Sequence, residues 1–167
     1  GVILITTKNG SVGETTISYD GYYSVQRFAE LPDIMTGEEF YKFKQERFAN
    51  QITLSEQAVY DSGEWVDWLN LGLRKGSSHQ HNLSAAGGFR NTKFYIAGSL
   101  LDVTGIALND DYQRITTRIN VDTKVANWLT IGTRTQFSMD DRSGEGPSNS
   151  GLLWTNPLST AYDENGD

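Results

Sequence analysis

The chain has 167 residues, no cysteine and a formal net charge of −7. Without cysteine it can form neither a disulfide bond nor a thiolate metal site, and the negative charge argues against nucleic acid as the partner. No apolar run approaches the ~20 residues that a membrane-spanning helix needs.

The first eight residues form a continuous apolar run that ends at Lys8. A continuous run predicts a strand buried on both faces, unlike the alternating segments that follow it. No signal peptide precedes this strand, and the chain closes at a turn-like Asn165-Gly166-Asp167. We therefore expect both ends to continue in a longer protein.

Five later segments alternate apolar and polar residues with a period of two, which predicts strands with two unlike faces. The first covers residues 17–26, and the other four follow one another over residues 82–138. Trp128 breaks the pattern, because strict alternation turns its ring to the polar side. The alternation predicts that the following apolar side chains share one face of one sheet: Ile17, Tyr23, Phe94, Ile96, Ile115, Ile119, Ile131 and Phe137.

The connections between these strands differ in length. Arg90-Asn91 and the region of Ala126 are tight, whereas residues 102–111 form a longer polar connection. Strands of about ten residues, with short turns at one end and long loops at the other, are typical of a transmembrane β-barrel. We therefore predict an all-β fold, an antiparallel amphipathic meander in which no catalytic constellation and no cofactor site is evident.

The first tight turn predicts how two strands pair. It places Gly87 opposite Phe94 and Leu83 opposite Gly98, so that a large side chain covers each glycine gap. Aromatic residues near the ends of such strands mark the membrane interfaces. On that basis Phe89 and Phe94 belong near the short turns, and Tyr23 and Phe137 near the long loops.

The second tight turn, near Ala126, predicts that Val121 pairs with Ile131. The same register sets Arg118 opposite Arg134 on the polar face, where directly opposed like charges destabilise the strand pair unless water screens them. We therefore predict that the charged residues of the polar face line a water-filled lumen: Asp20, Arg114, Arg118 and Arg134.

Residues 28–78 interrupt the strand pattern with a segment too long for a hairpin turn. Thr36-Gly37-Glu38-Glu39 is a capping box, which predicts a helix through Phe40 and Phe43 that ends near Asn50. A second helical segment is predicted over residues 55–60. Trp65 and Trp68 follow; they are candidate ligand-binding residues that stack on sugar rings, and the alternative is that they pack a small core within this segment.

Two weaker patterns resemble metal sites. His79 and His81 lie two residues apart on one strand face, as zinc ligands can, but no third ligand is evident nearby. Asp163, Asn165 and Asp167 flank Gly166, yet the spacing of a calcium-binding loop is not met. Neither pattern predicts a metal site, and no nucleophile–base arrangement indicates an enzyme.

Several segments together resemble the SusC/RagA-like branch of the TonB-dependent outer-membrane transporters. The resemblance begins with residues 1–8, which are similar to the last strand of the plug domain in that family. The other similar segments occur in the family's order: 31–40, Trp68, 81–88, Gly105-Ile106, 118–122 and the region of Asn156-Pro157-Leu158.

This resemblance implies a Gram-negative outer-membrane protein that imports oligosaccharides or other large nutrients, such as peptides. It also implies a roughly 22-stranded transmembrane β-barrel with a long, partly helical extracellular loop. The implied partners are a SusD-like surface lipoprotein, the TonB complex (through segments outside this chain), outer-membrane lipid, and a glycan or peptide substrate.

The resemblance divides the chain into three parts. Residues 1–10 correspond to the C-terminal strand of a plug domain, residues 11–139 to the first five barrel strands with the long loop at 28–78, and residues 140–167 to a further extracellular loop. The alternative is a secreted soluble β-sandwich that binds carbohydrate, in which the apolar face would pack on a second sheet.

Overall fold

The structure, a computed structural model, describes residues 1–3, 8, 10–142, 144 and 149–162. Residues 4–7 of the predicted first strand, and Asp163, Asn165 and Asp167, therefore lie outside the described residues. The described start of that predicted strand is neither a strand nor buried, since Val2 is 97% and Ile3 88% exposed. The chain divides into two compact units. The sheet unit comprises Gly1–Gln26, Gly76–Gly105 and Asp110–Gly144, and the helical unit comprises Arg27–Lys75, Ile106–Asn109 and Glu145–Asp167.

The sheet unit is one antiparallel meander of five strands in sequence order. The two connections at one end are the two-residue turns 90–91 and 127–128, and those at the other end are residues 27–75 and 105–110. This confirms the predicted alternation of short and long connections. The strands are β1 Gly13–Gln26, β2 Gly76–Phe89, β3 Thr92–Thr104, β4 Asp111–Ala126 and β5 Leu129–Asp141.

The register of the first hairpin is the predicted one. Gly87 pairs with Phe94 and Leu83 with Gly98. The Phe94 ring covers Gly87, with its Cζ 3.3 Å from the position that a Cβ would take. The prediction that Leu83 covers Gly98 is wrong, because no heavy atom lies within 4 Å of the corresponding point at Gly98.

The predicted register of the last hairpin is wrong by two residues. Val121 pairs with Thr133, and Ile131 pairs with Thr123. The physical reason is the turn itself: Asn127-Trp128 closes the hairpin, and the register shifts between Lys124 and Ala126. Trp128 lies in this turn, so strand alternation does not apply to it.

A shift of two residues keeps every side chain on its predicted face, since side chains alternate with a period of two. The pairing across all five strands puts the eight apolar residues predicted to share a face on the same side of the sheet. This face, the apolar face, is open: Ile17 is 72% exposed and Phe137 64%. No second sheet covers it in the part of the chain that the structure describes.

The helical unit contains helices α1 Gly37–Phe48, α2 Leu54–Ser62, α3 Trp68–Gly72 and α4 Asn149–Trp154. The capping box at Thr36 is present, and α1 runs through Phe40 and Phe43 as predicted. A second capping box starts α2 at Thr53. The short helices α3 and α4 were not predicted. No described helix is long and apolar enough to cross a membrane.

A small core holds the helical unit together. Leu158 is 1% exposed, and Tyr41, Leu69, Ala107 and Leu152 are also buried. Backbone hydrogen bonds extend this core: Arg74 donates to Ile106, and Leu108 donates to Gly72. Segments far apart in sequence therefore meet in this unit.

Candidate functional site

The polar face of the sheet, opposite the apolar face, carries a groove of about 380 Å³. Amide, hydroxyl and charged groups dominate its lining, which suits contact with water or with a hydrated solute. The side chains that converge there come from four strands and from Lys8; the polar ones include Asp20, Asn82, Ser99, Thr116 and Arg118.

Two of the predicted lumen arginines are bound within the sheet. Arg118 donates to Gln136 from Nη2 at 2.6 Å, and Arg134 donates to Asp122 from Nη2 at 2.7 Å. The prediction that Arg118 faces Arg134 is wrong, because Arg118 pairs with Gln136 in the ladder. The like charges thus have a neutral or an acidic partner instead of each other, which lowers their electrostatic cost.

The other two predicted residues also lie on the polar face. Asp20 accepts a hydrogen bond from Asn82 Nδ2 at 2.8 Å on the neighbouring strand. Arg114 is exposed and pairs in register with Asp140. The groove therefore brings Asp20 and Arg118 together, whereas Arg114 and Arg134 lie outside its lining; Arg134 borders a smaller cavity beside Arg118 and Asn120.

Asn120 is a polar-face residue that the sequence did not single out. It is only 3% exposed, and its Nδ2 donates to the main-chain oxygen of Lys8 at 2.8 Å. In sequence it is one more polar residue in an alternating strand. Its partner lies 112 positions away, so no local pattern indicates the contact.

The two histidines meet on the apolar side of the sheet, near the long connections. Their ring centroids are 5.4 Å apart, and His81 Nδ1 is hydrogen-bonded to the Tyr19 hydroxyl at 2.7 Å. His79 Nε2 lies 3.9 Å from Asp102 Oδ1. Within the described residues no group of three or more His, Cys, Asp or Glu side chains could hold a metal ion.

The two candidate tryptophans make contacts inside the helical unit. The Trp65 ring lies against Gly37, where a Cβ would collide with it. Trp68 Nε1 donates to the Asn156 main-chain oxygen at 3.0 Å. These contacts favour the packing alternative, and sugar stacking by either ring stays a prediction.

Glu56, in the helical unit, is a charged residue with several bonded partners that the sequence did not indicate. Lys44 Nζ donates to both of its carboxylate oxygens at 2.7 and 2.8 Å, and Asn156 Nδ2 donates at 2.6 Å. Burial alone would raise the pKa of Glu56. The hydrogen bonds from Lys44, the Thr53 amide and Asn156 outweigh that effect and lower the pKa to about 2, so the group is a fixed charge that joins α1, α2 and the segment after α4.

The curated proteins that are similar to this chain include two TonB-dependent receptors from different bacteria. The chain is 29% identical over 132 residues to the TonB-dependent receptor P3 of Formosa agariphila, an alignment that covers 79% of this chain and 12% of that receptor. It is 30% identical over 123 residues to the TonB-dependent receptor SusC of Bacteroides thetaiotaomicron, covering 72% of this chain and 12% of SusC. The chain thus spans 12% of the length of each receptor. No family model matches it.

Among solved structures, the chain is similar to the RagAB peptide importer in its closed-closed state. The TM-score is 0.70 at 20% identity, and the match covers 96% of this chain and 22% of that chain. At this identity the similarity shows a shared fold.

Proposed function

Because the chain is related to the SusC/RagA-like TonB-dependent receptors, we propose that it is part of a transporter in the outer membrane of a Gram-negative bacterium. Its five strands are then consecutive strands of a roughly 22-stranded barrel, with the apolar face toward lipid and the polar face toward the lumen. In this role the chain binds and conducts solute, and we propose no catalytic activity for it.

The apolar face is the observation that carries this proposal. On β2 this face runs from His81 to Phe89, about nine residues, which is the length that a tilted transmembrane strand requires. Across β2 to β5 the matching positions carry no Asp, Glu, Lys or Arg. On β1 the bulge between Gly13 and Thr16 puts Glu14 and Thr15 opposite Gly87, at the end near the short turns. Toward the long connections, the first charged residues on this face are Asp102 and Asp141, one step beyond His81.

The two kinds of connection support an orientation. In outer-membrane barrels the short turns lie in the periplasm and the long loops outside. By that rule the turns 90–91 and 127–128 are periplasmic, and residues 27–75 and 105–110 are extracellular. Phe89 lies beside a short turn and Tyr23 near the long connection, which are the predicted positions for aromatic residues at the two interfaces.

We further propose three parts within the chain: residues 1–10 end a plug domain, residues 11–139 form barrel strands with a long loop at 28–78, and residues 140–167 begin another extracellular loop. Asp20, Arg114, Arg118 and Arg134 then line the lumen. The position of Lys8 over the polar face supports this division, since a plug must lie inside the barrel.

The proposed cargo is a large nutrient, an oligosaccharide or a peptide, taken up with a SusD-like surface lipoprotein and energised by the TonB complex. SusC and the RagAB peptide importer are the comparisons that support this part of the proposal. Trp65 and Trp68 stay candidates for contact with a glycan, in the proposed extracellular loop.

The alternative, a secreted β-sandwich that binds carbohydrate, needs a second sheet on the apolar face. The exposure of that face in the described residues counts against a sandwich, because Ile17, Tyr23 and Phe137 would remain in water. A soluble domain rarely leaves so large an apolar surface uncovered.

The test compares arginine substitutions on one face with alanine substitutions on the other, in the full-length transporter. Ile119→Arg places a charge in the middle of the apolar face, at a cost of about 2–4 kcal/mol, and should prevent assembly. Ile131→Arg, beside the short turns, should cost less because it lies near the interface. Arg118→Ala should leave the barrel intact, as measured by heat-modifiable migration on gels and by surface accessibility.

Equal damage from Ile119→Arg and Arg118→Ala would mean that the two faces meet similar surroundings. That result would remove the physical basis of the transporter proposal.

A further inference from the structure

The inference concerns how the segment that precedes β1 is held to the polar face of the sheet (the polar wall). Asn120 lies on that wall between Tyr95 and Arg134, its partners on the two neighbouring strands. Its side-chain amide donates to the Lys8 main-chain oxygen at 2.8 Å, and the residue is 3% exposed. A buried amide that loses its partner is costly, so this contact is strongly favoured once the two groups meet.

The backbone that follows Lys8 also lies close to the wall. A Cβ on Gly10 would collide with the main-chain oxygens of Gly87 and Phe94. A Cβ on Gly88 would lie 2.8 Å from the Ser11 oxygen. Glycine is therefore needed both on the segment and on the wall, because only glycine permits backbones to approach this closely.

The charges around Asn120 are bound elsewhere. Arg134 holds Asp122, and Arg118 holds Gln136. The contact that reaches the segment is a neutral amide-to-carbonyl bond to the main chain. It uses no side-chain atom of Lys8, so the identity of that side chain is irrelevant to it.

We propose that Asn120, Gly88 and Gly10 form an attachment seat that fixes Lys8 and residues 10–12 to the polar wall through neutral main-chain contacts. The chain before Lys8 is then tethered to the wall at this seat, and neither salt nor the charge of a passing solute releases the tether. The partner of the seat is a backbone segment of this same chain. The seat depends on the proposed function only in that the wall is taken to face a lumen.

The experiment is hydrogen–deuterium exchange of the peptide covering residues 8–14 in the full-length receptor, purified in detergent. Asn120→Ala removes one neutral hydrogen bond and should accelerate exchange by about 2- to 10-fold. Asn120→Asp places a carboxylate, which cannot donate, against the Lys8 oxygen and should accelerate it by about tenfold or more. Lys8→Ala should leave the rate unchanged, and so should 1 M salt.

The matched control is Gln136→Ala, which removes another amide from the same wall. It should change exchange near Arg118 and not in residues 8–14. Unchanged exchange in Asn120→Asp would overturn the seat, and acceleration by Lys8→Ala or by salt would overturn its neutral, main-chain character. Heat-modifiable migration on gels is measured in parallel for the wild type and each variant. A wild type that shows no heat-modifiable migration contradicts the proposed barrel. Unchanged exchange in Asn120→Asp, in a barrel that does migrate normally, contradicts only the seat.

Discussion

At the scale of single residues, the helical unit depends on a buried carboxylate. Glu56 caps α2 by accepting from the Thr53 amide at 2.9 Å, and it also accepts from Lys44 on α1 and from Asn156. A buried charge is tolerated only when such donors replace the water it has lost. One side chain thereby connects three segments that are separate in sequence.

We expect Glu56→Gln to loosen the contact between α1 and α2. The variant leaves Lys44, whose side chain is 16% exposed, without its charged partner, at a cost of about 1–3 kcal/mol. The wild type should show the same loosening in acid. The pKa of Glu56 is lowered from 4.5 to about 2 in the folded protein. The stabilisation that the Glu56 carboxylate provides is therefore complete above pH 4.5 and is lost as the pH falls towards 2.

The measurement is the distance between spin labels at Gln45 on α1 and Asp61 on α2, in the full-length protein. Glu38→Gln is the control, because Glu38 and Lys42 form an exposed pair with little effect on stability. If the distance distribution of Glu56→Gln at neutral pH equals that of the wild type, Glu56 does not hold the two helices together.

At the scale of secondary-structure elements, caps decide where helices begin. The Thr36 hydroxyl accepts from the Glu39 amide at 3.3 Å, and the Glu39 carboxylate accepts from the Thr36 amide at 2.9 Å. The hydrogen bonds that the Thr36 amide and the Thr36 hydroxyl donate to the Glu39 carboxylate hold the pKa of Glu39 below its ordinary value. These reciprocal bonds use two groups that the first helical turn would otherwise leave unsatisfied.

Thr36→Ala should therefore destabilise the start of α1 by about 1 kcal/mol. The amides of the first turn should exchange with deuterium roughly fivefold faster, while those at the end of α2 keep their rates. Thr36→Ser retains the hydroxyl and serves as the control. A first turn that exchanges equally fast in the alanine and serine variants would show that the capping bond contributes nothing.

Within the sheet, two glycines that face large residues across a strand pair should differ in how well they tolerate substitution by alanine. A Cβ at Gly87 would lie 2.8 Å from Thr15 Oγ1 and 3.0 Å from Thr15 Cα, whereas a Cβ at Gly98 meets no heavy atom within 4 Å. Gly87→Ala should cost about 1–3 kcal/mol, and Gly98→Ala should be tolerated. The readout is the temperature at which the full-length barrel loses its folded band on gels, and an equal fall for both would contradict the packing at Gly87.

At the scale of the whole molecule, the two faces of the sheet should have different surroundings. In the full-length protein in membranes, cysteines introduced at Ile115 and Ile119 should react with a lipid-soluble thiol reagent. Cysteines at Thr116 and Arg118, on the opposite face, should react with a water-soluble one, because neighbouring residues point to opposite sides. Reactivity that does not alternate along β4 would contradict a strand that separates lipid from water.

The sequence by itself determined the features that depend on neighbouring residues. Period-two alternation predicted the strands and their faces, the capping box predicted α1, and the Arg90-Asn91 turn predicted the first register. In each case the interacting residues lie within a few positions of one another, or a short turn leaves a single pairing. Local chemistry therefore suffices for them.

Only the tertiary structure decided the remaining features. Near Ala126 the chain permits several turn positions, and the observed shift between Lys124 and Ala126 moved the pairing by two residues. Asn120 binds Lys8 across 112 positions, and Asn156 binds Glu56 across 100. Such contacts depend on where the fold brings distant segments together, and a polar residue in an alternating strand looks the same whether its partner is water or a backbone oxygen.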